Sequence, residues 1–356
     1  MQTFGIIGGG MIANFHAKAI QAMQGGKLGA IYARNPQKAK ALGEQYYCES
    51  YSDLDEFLAD DSINIVTIAT PSGAHLEPTL AAAKAKKHII CEKPLEVTPS
   101  RIQQMIHVAK EEGVILSGIF NRRFNPAVVA LKQAVDQGRF GTLSLCDAQI
   151  KWYRDQAYYD SATWRGTMAL DGGGALMNQS IHTIDLLLYL AGNVKRLSAS
   201  MALLTHENIE VEDTAVAILE FENGARGTIQ GSTSCWSSTG HPAEVQICGS
   251  EGSVFLQDDG FKVWDFKAEK QQDIYVKENL MQSNKTGLGA NDPGAINFIG
   301  HQRNFEDVVQ SIEEGRPPLI TGEEALRSVQ LIDAIYRSAK NEGAWIHVED
   351  ELSVRP

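Results

Sequence analysis

The sequence predicts an α/β protein of two domains. The first has a doubly wound parallel sheet, and the second is an α+β domain with a large mixed, mostly antiparallel open sheet. An apolar run and a glycine-rich turn open the chain, strand and helix patterns then alternate for about 120 residues, and longer alternating strands follow. The length of 356 residues is typical of about two domains, and the change of pattern separates residues 1–121 from 122–356.

Composition and charge narrow the class of protein. Hydrophobic residues make up 43% of the chain and the formal net charge is −12, which argues against a nucleic-acid or anionic-membrane partner. No apolar run reaches the roughly 20 residues of a membrane-spanning helix, and no signal peptide is expected. The five cysteines are scattered without a C-x-x-C pair, which favours reduced thiols in the cytoplasm and argues against a cysteine metal site.

The turn after the first strand has the spacing of a dinucleotide-binding loop. Gly8, Gly10 and Ala13 follow the apolar run at residues 4–7 in a G-x-G-x-x-A pattern. The first glycine permits a tight turn, the second admits a pyrophosphate, and the small third residue lets the next helix pack closely. The strand before the turn and the alanine-rich helix after it favour this interpretation over a glycine turn without a ligand. The expected phosphate contacts are Gly8, Gly10, Met11 and Ile12.

The end of the second predicted strand, at residues 28–33, indicates which nicotinamide cofactor binds. An acidic residue there commonly binds the ribose 2′-hydroxyl of NAD. Ala33 occupies this position, Arg34 follows it, and no Asp or Glu precedes Glu44. A guanidinium suits a 2′-phosphate, so we expect NADP; NAD is the alternative if Arg34 only stacks on the adenine.

The later strands of the first domain bring polar residues to one edge of the sheet. The predicted elements are helices at 54–58, 75–85 and 99–112 and strands at 63–69, 88–91 and 114–119. Thr70 and Pro71 follow a strand at the edge where open α/β sheets bind ligands. Lys93, between Glu92 and Pro94 at another strand end, is well placed as a fixed cation near the nicotinamide. An ordinary surface lysine is the alternative.

The pattern changes after residue 121. A helix is predicted up to about residue 137, and the strands that follow alternate polar with apolar residues, as in antiparallel sheets with one open face. These strands are 143–152, 194–203, 215–220, 225–233, 244–248, 253–256 and 261–265. Residues 282–297 are expected to form a mobile loop, and amphipathic helices at 304–314 and 323–340 close the chain. The open face is a natural surface for assembly.

A glycine run at 172–174 leads into a helix predicted from residue 176 to residue 190. Asn178 and His182 are four residues apart, so they share one face of that helix. The apolar residues around them are typical of a buried helix, and core packing explains this polar pair poorly. We therefore interpret the pair as functional; a satisfied structural histidine is the alternative.

Together these motifs resemble the Gfo/Idh/MocA oxidoreductase family, which includes glucose–fructose oxidoreductase and inositol dehydrogenase. The resemblance covers nearly the whole chain and rests on residues 8–13, 92–94, 172–186 and 318–339. It implies a Rossmann domain and a mixed-sheet domain, assembled as a homodimer or homotetramer through the open sheet. It also implies that Lys93 and His182 are catalytic. Many members have Asp four residues before this histidine, where the present chain has Asn178.

The resemblance implies NAD(P)-dependent interconversion of an alcohol and a carbonyl on a sugar, polyol or nucleotide sugar. His182 would take the hydroxyl proton, because the Asn178 amide cannot, and Lys93 would stabilise charge on the reacting oxygen. Asn178 is expected to hold a substrate hydroxyl, within an aromatic and basic wall of Arg123, Tyr153, Arg154, Trp164, Arg165 and His301. The further expected cofactor contacts are Ala33, Arg34, Thr70, Pro71, His75, Glu92, Lys93, Trp164 and Arg165.

The motifs also bear on three other classes of protein. A glycosidase that oxidises its substrate transiently through tightly bound nicotinamide remains an alternative, as does a non-catalytic cofactor-binding sensor. Retention of both Lys93 and His182 argues against the sensor. A metal-dependent enzyme is not expected, because the sequence has no cysteine cluster and no H-E-x-x-H motif, and Asn with His is a poor ligand set. The nicotinamide is expected to lie between Lys93 and His182.

Overall fold

The computed structural model describes residues 1–281 and 298–348. The chain divides into two compact units, Met1–Asn121 with Asn297–Leu326, and Arg122–Ile296 with Arg327–Pro356. The expected second domain of residues 122–356 is therefore interrupted by a segment that belongs to the first unit. The loop predicted at 282–297 lies outside the described residues. None of the helices in the described ranges is long and apolar enough to cross a membrane.

The first unit is built on a parallel sheet of short, buried strands. They are β1 (Gln2–Ile7), β2 (Gly26–Tyr32), β3 (Glu49–Tyr51), β4 (Ile65–Ile68), β5 (His88–Cys91) and β6 (Leu116–Gly118). The six strands lie in the order β3-β2-β1-β4-β5-β6. The order reverses beside β1, so the carboxyl ends of β1 and β4 form the switch point at which such sheets bind ligands.

Five helices connect these strands, and most begin at a capping side chain. They are α1 (Met11–Ala22), α2 (Pro36–Tyr46), α3 (Leu54–Leu58), α4 (Leu76–Lys84) and α5 (Pro99–Glu112). Asn35, Asp53 and Thr98 accept backbone N–H groups at the starts of α2, α3 and α5. Helix α1 has no such cap, because Gly10 supplies no side chain, and its first turn has no acidic residue. Its N-terminus is therefore suited to an external anion.

Helix α10 (Ile299–Glu314) packs in the first unit, although it comes late in the chain. Phe305 stacks on Phe4 of β1 with 5.8 Å between the ring centroids, and Val308 is buried in the same cluster as Ile20 of α1. The chain then returns to β6, where the hydroxyl of Ser117 donates to the carbonyl oxygen of Ile320 at 2.8 Å. The apolar face of α10 thus completes the core of the first unit.

The second unit is built on a mixed sheet of eight strands. They are β7 (Leu143–Lys151), β8 (Val194–Ala202), β9 (Thr214–Phe221), β10 (Arg226–Ser232), β11 (Glu244–Gly249), β12 (Gly252–Gln257), β13 (Gly260–Phe266) and β14 (Ile346–His347). Their order is β13-β12-β11-β7-β10-β9-β8-β14, and only β7 and β10 pair in parallel. The predicted fold class is confirmed.

One face of this sheet is covered by helix and the other is open. The helices of the unit are α6 (Pro126–Asp136), α7 (Gln156–Asp160), α8 (Ile181–Ala191), α9 (Gln271–Asn279) and most of α11 (Gly322–Lys340). Helix α8 packs on β7 and β11. Along β9, Ala217 and Leu219 are buried, whereas Val216 and Ile218 are 50% and 55% exposed. The alternation expected of a half-covered sheet is therefore present.

Candidate functional site

The glycine turn after β1 is shaped to receive a dinucleotide. Gly8 has a φ of +129°, and a Cβ on it would lie 2.6 Å from the carbonyl oxygen of Ala69, so no other residue fits there. A Cβ on Gly10 would meet no atom within 4 Å, and Met11 and Ile12 are exposed. The turn therefore leaves its backbone and the start of α1 accessible to a pyrophosphate, which is the fit that an NAD(P) cofactor requires.

One cationic residue follows the end of β2, and the side chain of another lies beside this turn. Arg34 is exposed and follows the buried Ala33 at the end of β2. A Cβ on Gly9 would lie 3.2 Å from Cβ of Ala33 and 3.3 Å from Cδ and Cε of Lys38, so the Lys38 stem passes close to the turn. The sequence singled out Arg34, whereas the position of Lys38 depends on helix α2 and its Asn35 cap.

His75 ties the loop after β4 to the turn after β5. Its Nε2 lies 2.9 Å from the carbonyl oxygen of Thr70, and its Nδ1 lies 3.0 Å and 3.2 Å from those of Pro94 and Leu95. Both ring nitrogens therefore have backbone carbonyl oxygens as their partners. The expectation that His75 contacts the cofactor is therefore corrected, because the ring is buried and both nitrogens bond backbone. Thr70 and Pro71 are partly exposed.

Glu92 lies directly after β5, where two histidines bond its carboxylate. Nε2 of His16 and Nε2 of His301 lie 2.9 Å and 3.3 Å from Oε1, and the backbone N–H of Lys93 donates to Oε2 at 3.0 Å. Burial opposes ionisation, but the hydrogen bonds from His16 and His301 hold the pKa of Glu92 well below its usual range. His301 was expected in the substrate wall. It is 6% exposed and belongs to this cluster in the first unit instead.

In the second unit, the helix predicted from residue 176 is not regular. Ala175–Ser180 forms a π-helical turn, and α8 begins only at Ile181. The partly exposed His182 therefore lies in the first turn of α8, and Asn178 lies in the π-turn before it. The prediction that Asn178 and His182 share one face assumed that both lie in one regular helix, and they do not. Such π-turns are rare and are frequent at functional sites.

Glu212 holds the start of the π-turn. Its carboxylate accepts the backbone N–H groups of Gly174 at 3.0 Å and Leu176 at 2.8 Å, and the hydroxyl of Tyr336 at 3.0 Å. A Cβ on Gly174 would overlap the backbone oxygen of Glu212, and one on Gly173 would overlap the Tyr336 hydroxyl. These contacts explain the glycine run. Burial raises the pKa of Glu212 despite these hydrogen bonds.

The Asn178 side chain is engaged at both ends. Its amide nitrogen donates to Asp171, and its oxygen accepts from Nε2 of Gln179 at 2.9 Å. Asp171 is buried and also accepts the backbone N–H of Gly166 at 2.9 Å. A carboxylate therefore stands beside Asn178, although the sequence has none four residues before His182. The sequence interpretation missed Asp171 and Gln179, whose type and spacing gave no signal.

Two arginines meet Gln179 and Tyr158 beside Asn178. Nη2 of Arg154 donates to Oε1 of Gln179 at 2.8 Å, and Nη1 of Arg165 donates to the Tyr158 hydroxyl at 2.6 Å. The Arg165 guanidinium carbon lies 4.3 Å and 4.7 Å from the ring centroids of Tyr158 and Trp164. Burial lowers the pKa of Arg154. The structure therefore brings Arg154, Trp164 and Arg165 together around Tyr158 and Gln179, and the exposed Tyr153 precedes Arg154 in the chain.

Arg123 does not join this group. It is 1% exposed, and its Nε and Nη2 donate to the Asp185 carboxylate of α8 at 2.9 Å and 2.7 Å. The guanidinium carbon also lies 4.4 Å from the ring centroid of Tyr189. The expectation that Arg123 lines the substrate wall is therefore corrected, because its charge is neutralised inside the second unit and is shielded from solvent.

The dinucleotide turn with Lys93 in the first unit, and the polar π-turn before His182 in the second, define an NAD(P)-dependent oxidoreductase. Models of the same oxidoreductase family match both parts of the chain. The NAD-binding Rossmann fold matches residues 2–120, and the C-terminal alpha/beta domain matches residues 132–348. The chain belongs to the Gfo/Idh/MocA oxidoreductase family, as its motifs indicated.

Known relatives agree with this class. Myo-inositol 2-dehydrogenase of Thermotoga maritima is 28% identical over 345 residues, which are 92% of this chain and 96% of that protein. The WlbA dehydrogenase from Bordetella pertussis, solved with NADH and UDP-GlcNAcA, is 30% identical over 97% of each chain, with a TM-score of 0.86. Levoglucosan dehydrogenase, solved with NADH and levoglucosan, is 25% identical over 97% of this chain and 98% of that one, with a TM-score of 0.82.

These relatives are dehydrogenases, so the chain is an NAD(P)-dependent dehydrogenase. The glycosidase and sensor alternatives receive no support from them.

Proposed function

We propose that the protein interconverts a hydroxyl and a carbonyl group on a sugar, polyol or nucleotide sugar. The main support for this proposal is the polar π-turn that precedes His182. Asn178, Gln179 and two arginines offer directional hydrogen bonds there. Aromatic rings beside them suit the apolar face of a sugar ring. The relatives that act on inositol or levoglucosan, or bind UDP-GlcNAcA, support this class of substrate.

The chain's own residues supply the proton chemistry. The bound nicotinamide supplies the hydride acceptor in the oxidative direction. His182 accepts the hydroxyl proton at a ring nitrogen, because the amide of Asn178 cannot take it. The Lys93 ammonium donates a hydrogen bond to the reacting oxygen and stabilises its developing charge. Asn178, oriented by Asp171 and Gln179, holds a neighbouring hydroxyl, and Tyr153, Arg154, Trp164 and Arg165 line the substrate.

A substrate panel tests this function. Free aldoses, inositols and nucleotide sugars are each incubated with NAD⁺ and NADP⁺, and the nicotinamide absorbance is followed. His182→Ala should lower kcat by about 10²- to 10⁴-fold with the active substrate, the range of a general base, while cofactor binding is retained. His107→Ala is the matched control, because His107 lies exposed on α5 beside Glu111. Unchanged turnover of His182→Ala would refute the assignment.

We also propose that NADP(H) is the preferred cofactor. The supporting observations are the exposed Arg34, the Lys38 stem beside Gly9, and the absence of an acidic residue before Glu44. The solved relatives named above bind NADH, so this preference would distinguish the chain from them. A 2′-phosphate between two cations would form charge-assisted hydrogen bonds that the NAD ribose cannot form.

Paired substitutions test the cofactor preference. Arg34→Ala and Lys38→Ala should each lower the NADP⁺-to-NAD⁺ ratio of kcat/KM by about tenfold or more, since a hydrogen bond to a charged group contributes about 1.5–3 kcal/mol. Lys40→Ala is the control, because Lys40 lies on the same helix but pairs with Glu44 at 3.9 Å. Equal or better use of NAD⁺ by the unaltered protein would contradict the proposal.

We further propose a cytoplasmic homodimer or homotetramer that assembles through the open face of the second sheet. Val216 and Ile218 on β9 and Leu145 on β7 are exposed on that sheet. Exposed apolar positions of this kind favour burial against a second copy. The five cysteines are free thiols, which suits a reducing compartment.

A further inference from the structure

The cluster around Glu92 has no part in the mechanism proposed above. His16 from α1, Glu92 after β5 and His301 from α10 meet in the first unit, and all three are buried. Both histidines direct Nε2 at the same carboxylate oxygen, and their ring centroids are 5.5 Å apart. Polar groups at this depth are stable only when hydrogen bonds replace their contacts with water.

The second nitrogen of each ring indicates where its proton lies. Nδ1 of His301 faces the amide nitrogen of Asn121 at 3.3 Å; that nitrogen only donates, so the proton of His301 lies on Nε2. Nδ1 of His16 lies 2.9 Å from the hydroxyl of Thr67, which can donate to it. Both rings then donate Nε2–H to Glu92, and neither needs a second proton. Burial lowers the pKa of His16, which agrees with a neutral ring.

The same three side chains also have the spacing of a metal site, because their ligand atoms lie within 4.8 Å of one another. A metal would need both Nε2 atoms as lone-pair donors, and the proton of His301 would move to Nδ1. That proton would then face the donating amide nitrogen of Asn121. The hydrogen-bond pattern therefore favours a network of protons over a metal.

We propose that His16 and His301 are positioning residues, which hold Glu92 as a carboxylate so that it fixes the backbone of Lys93. The histidines donate hydrogen bonds to Oε1 of Glu92, and Oε2 accepts a hydrogen bond from the backbone N–H of Lys93. On the other side, His75 holds the carbonyl groups of Pro94 and Leu95. This inference rests on the proposed catalytic role of Lys93, whose ammonium must meet the reacting oxygen at a fixed place.

Replacement of Glu92 by Gln tests the network with almost no change of shape. All the groups around the carboxylate donate hydrogen bonds, so the NH₂ of a glutamine would face a donor on one side. We expect Glu92→Gln to lower kcat by about 100-fold, the effect of a displacement near 1 Å, with little change in the Kd for the cofactor. His301→Phe should act in the same direction, and His301→Gln, which keeps a donor, should restore part of kcat.

Glu96→Gln is the matched control. Glu96 is a buried carboxylate in the same loop, but it pairs with Arg101 and accepts a hydrogen bond from the backbone N–H of Val97. It should lower thermal stability and leave kcat unchanged. The titratable groups around Glu92 that the pH profile of each variant must consider are His16, His75, Cys91 and His301.

Two measurements without turnover complete the test. In ¹⁵N NMR spectra of the cofactor-free protein, both rings should carry their proton on Nε2, as the partners of their Nδ1 atoms indicate. Elemental analysis should find no stoichiometric metal. A bound metal, a His301 ring that carries its proton on Nδ1, or a kcat for Glu92→Gln close to that of the unaltered protein overturns the proposal. Full turnover of Lys93→Met would instead refute the proposed role of Lys93.

Discussion

Replacing Asp185 by Asn would leave the Arg123 guanidinium buried without its carboxylate. The two side chains are 1% and 3% exposed and are joined by hydrogen bonds of 2.9 Å and 2.7 Å. Removal of one partner of a buried ion pair costs about 3–5 kcal/mol, because the remaining charge is not solvated. We therefore expect the free energy of unfolding of the second unit to fall by that amount, and Tm to fall by roughly 10 °C.

The double variant Arg123→Met/Asp185→Leu separates the charge effect from packing. Apolar side chains of similar volume in place of both partners are often neutral, so most of the lost stability should return. Thermal and urea unfolding measure stability, and KM for the active substrate is measured on each folded variant. A substrate-binding Arg123 would behave differently, with normal stability and a raised KM in Arg123→Met. Normal stability with a raised KM in Arg123→Met, or an unchanged Tm in Asp185→Asn, would refute the structural role of the Arg123–Asp185 pair.

Three further predictions concern the second unit. Gly174→Ala should sharply lower kcat, because its Cβ would overlap the backbone oxygen of Glu212; a kcat near that of the unaltered protein would contradict this. Burial opposes ionisation of Asp213, but hydrogen bonds including those from Thr205 and His206 lower its pKa to about 2. About 2 kcal/mol of stability, present above about pH 4, should be lost as the pH falls through 2, and unfolding of Asp213→Asn should lack this dependence. Ile218→Lys should dissociate the proposed oligomer, as measured by light scattering, and an unchanged mass would place the interface elsewhere.

Local signals were enough to predict much of the first unit. The strand at residues 88–91 and the helix at 99–112 were predicted with the bounds that the structure has. A buried β-branched pair marks the strand, and Thr98, Pro99 and Gly113 mark the helix ends, so neighbouring residues determine both elements. The glycine turn was likewise predictable, because Gly8 meets a steric need that no other residue meets, and the spacing to Gly10 marks the rest of the turn.

Several elements were not predicted because their apolar pattern is short or weak. These are α2, β3, α7, α9 and β14. Helix α10 was predicted from residue 304, whereas it begins at Ile299. Its place in the first unit depends on the contact of Phe305 with Phe4, residues far apart in the chain. The periodicity of a helix indicates which face is buried, but not which sheet or helix covers that face.

The sequence by itself determined the fold class and the family, and its motifs singled out Lys93 and His182. Tertiary structure alone decided the surroundings of the other polar residues. Arg123 and His301 are residue types that suit a substrate wall. Inside the protein, however, Asp185 neutralises Arg123 and Glu92 bonds His301, and both partners are distant in the sequence. The π-turn likewise depends on Glu212, 36 residues from Leu176. The sequence shows which chemical groups each side chain carries, but the burial and the hydrogen-bond partners of those groups arise only from long-range packing.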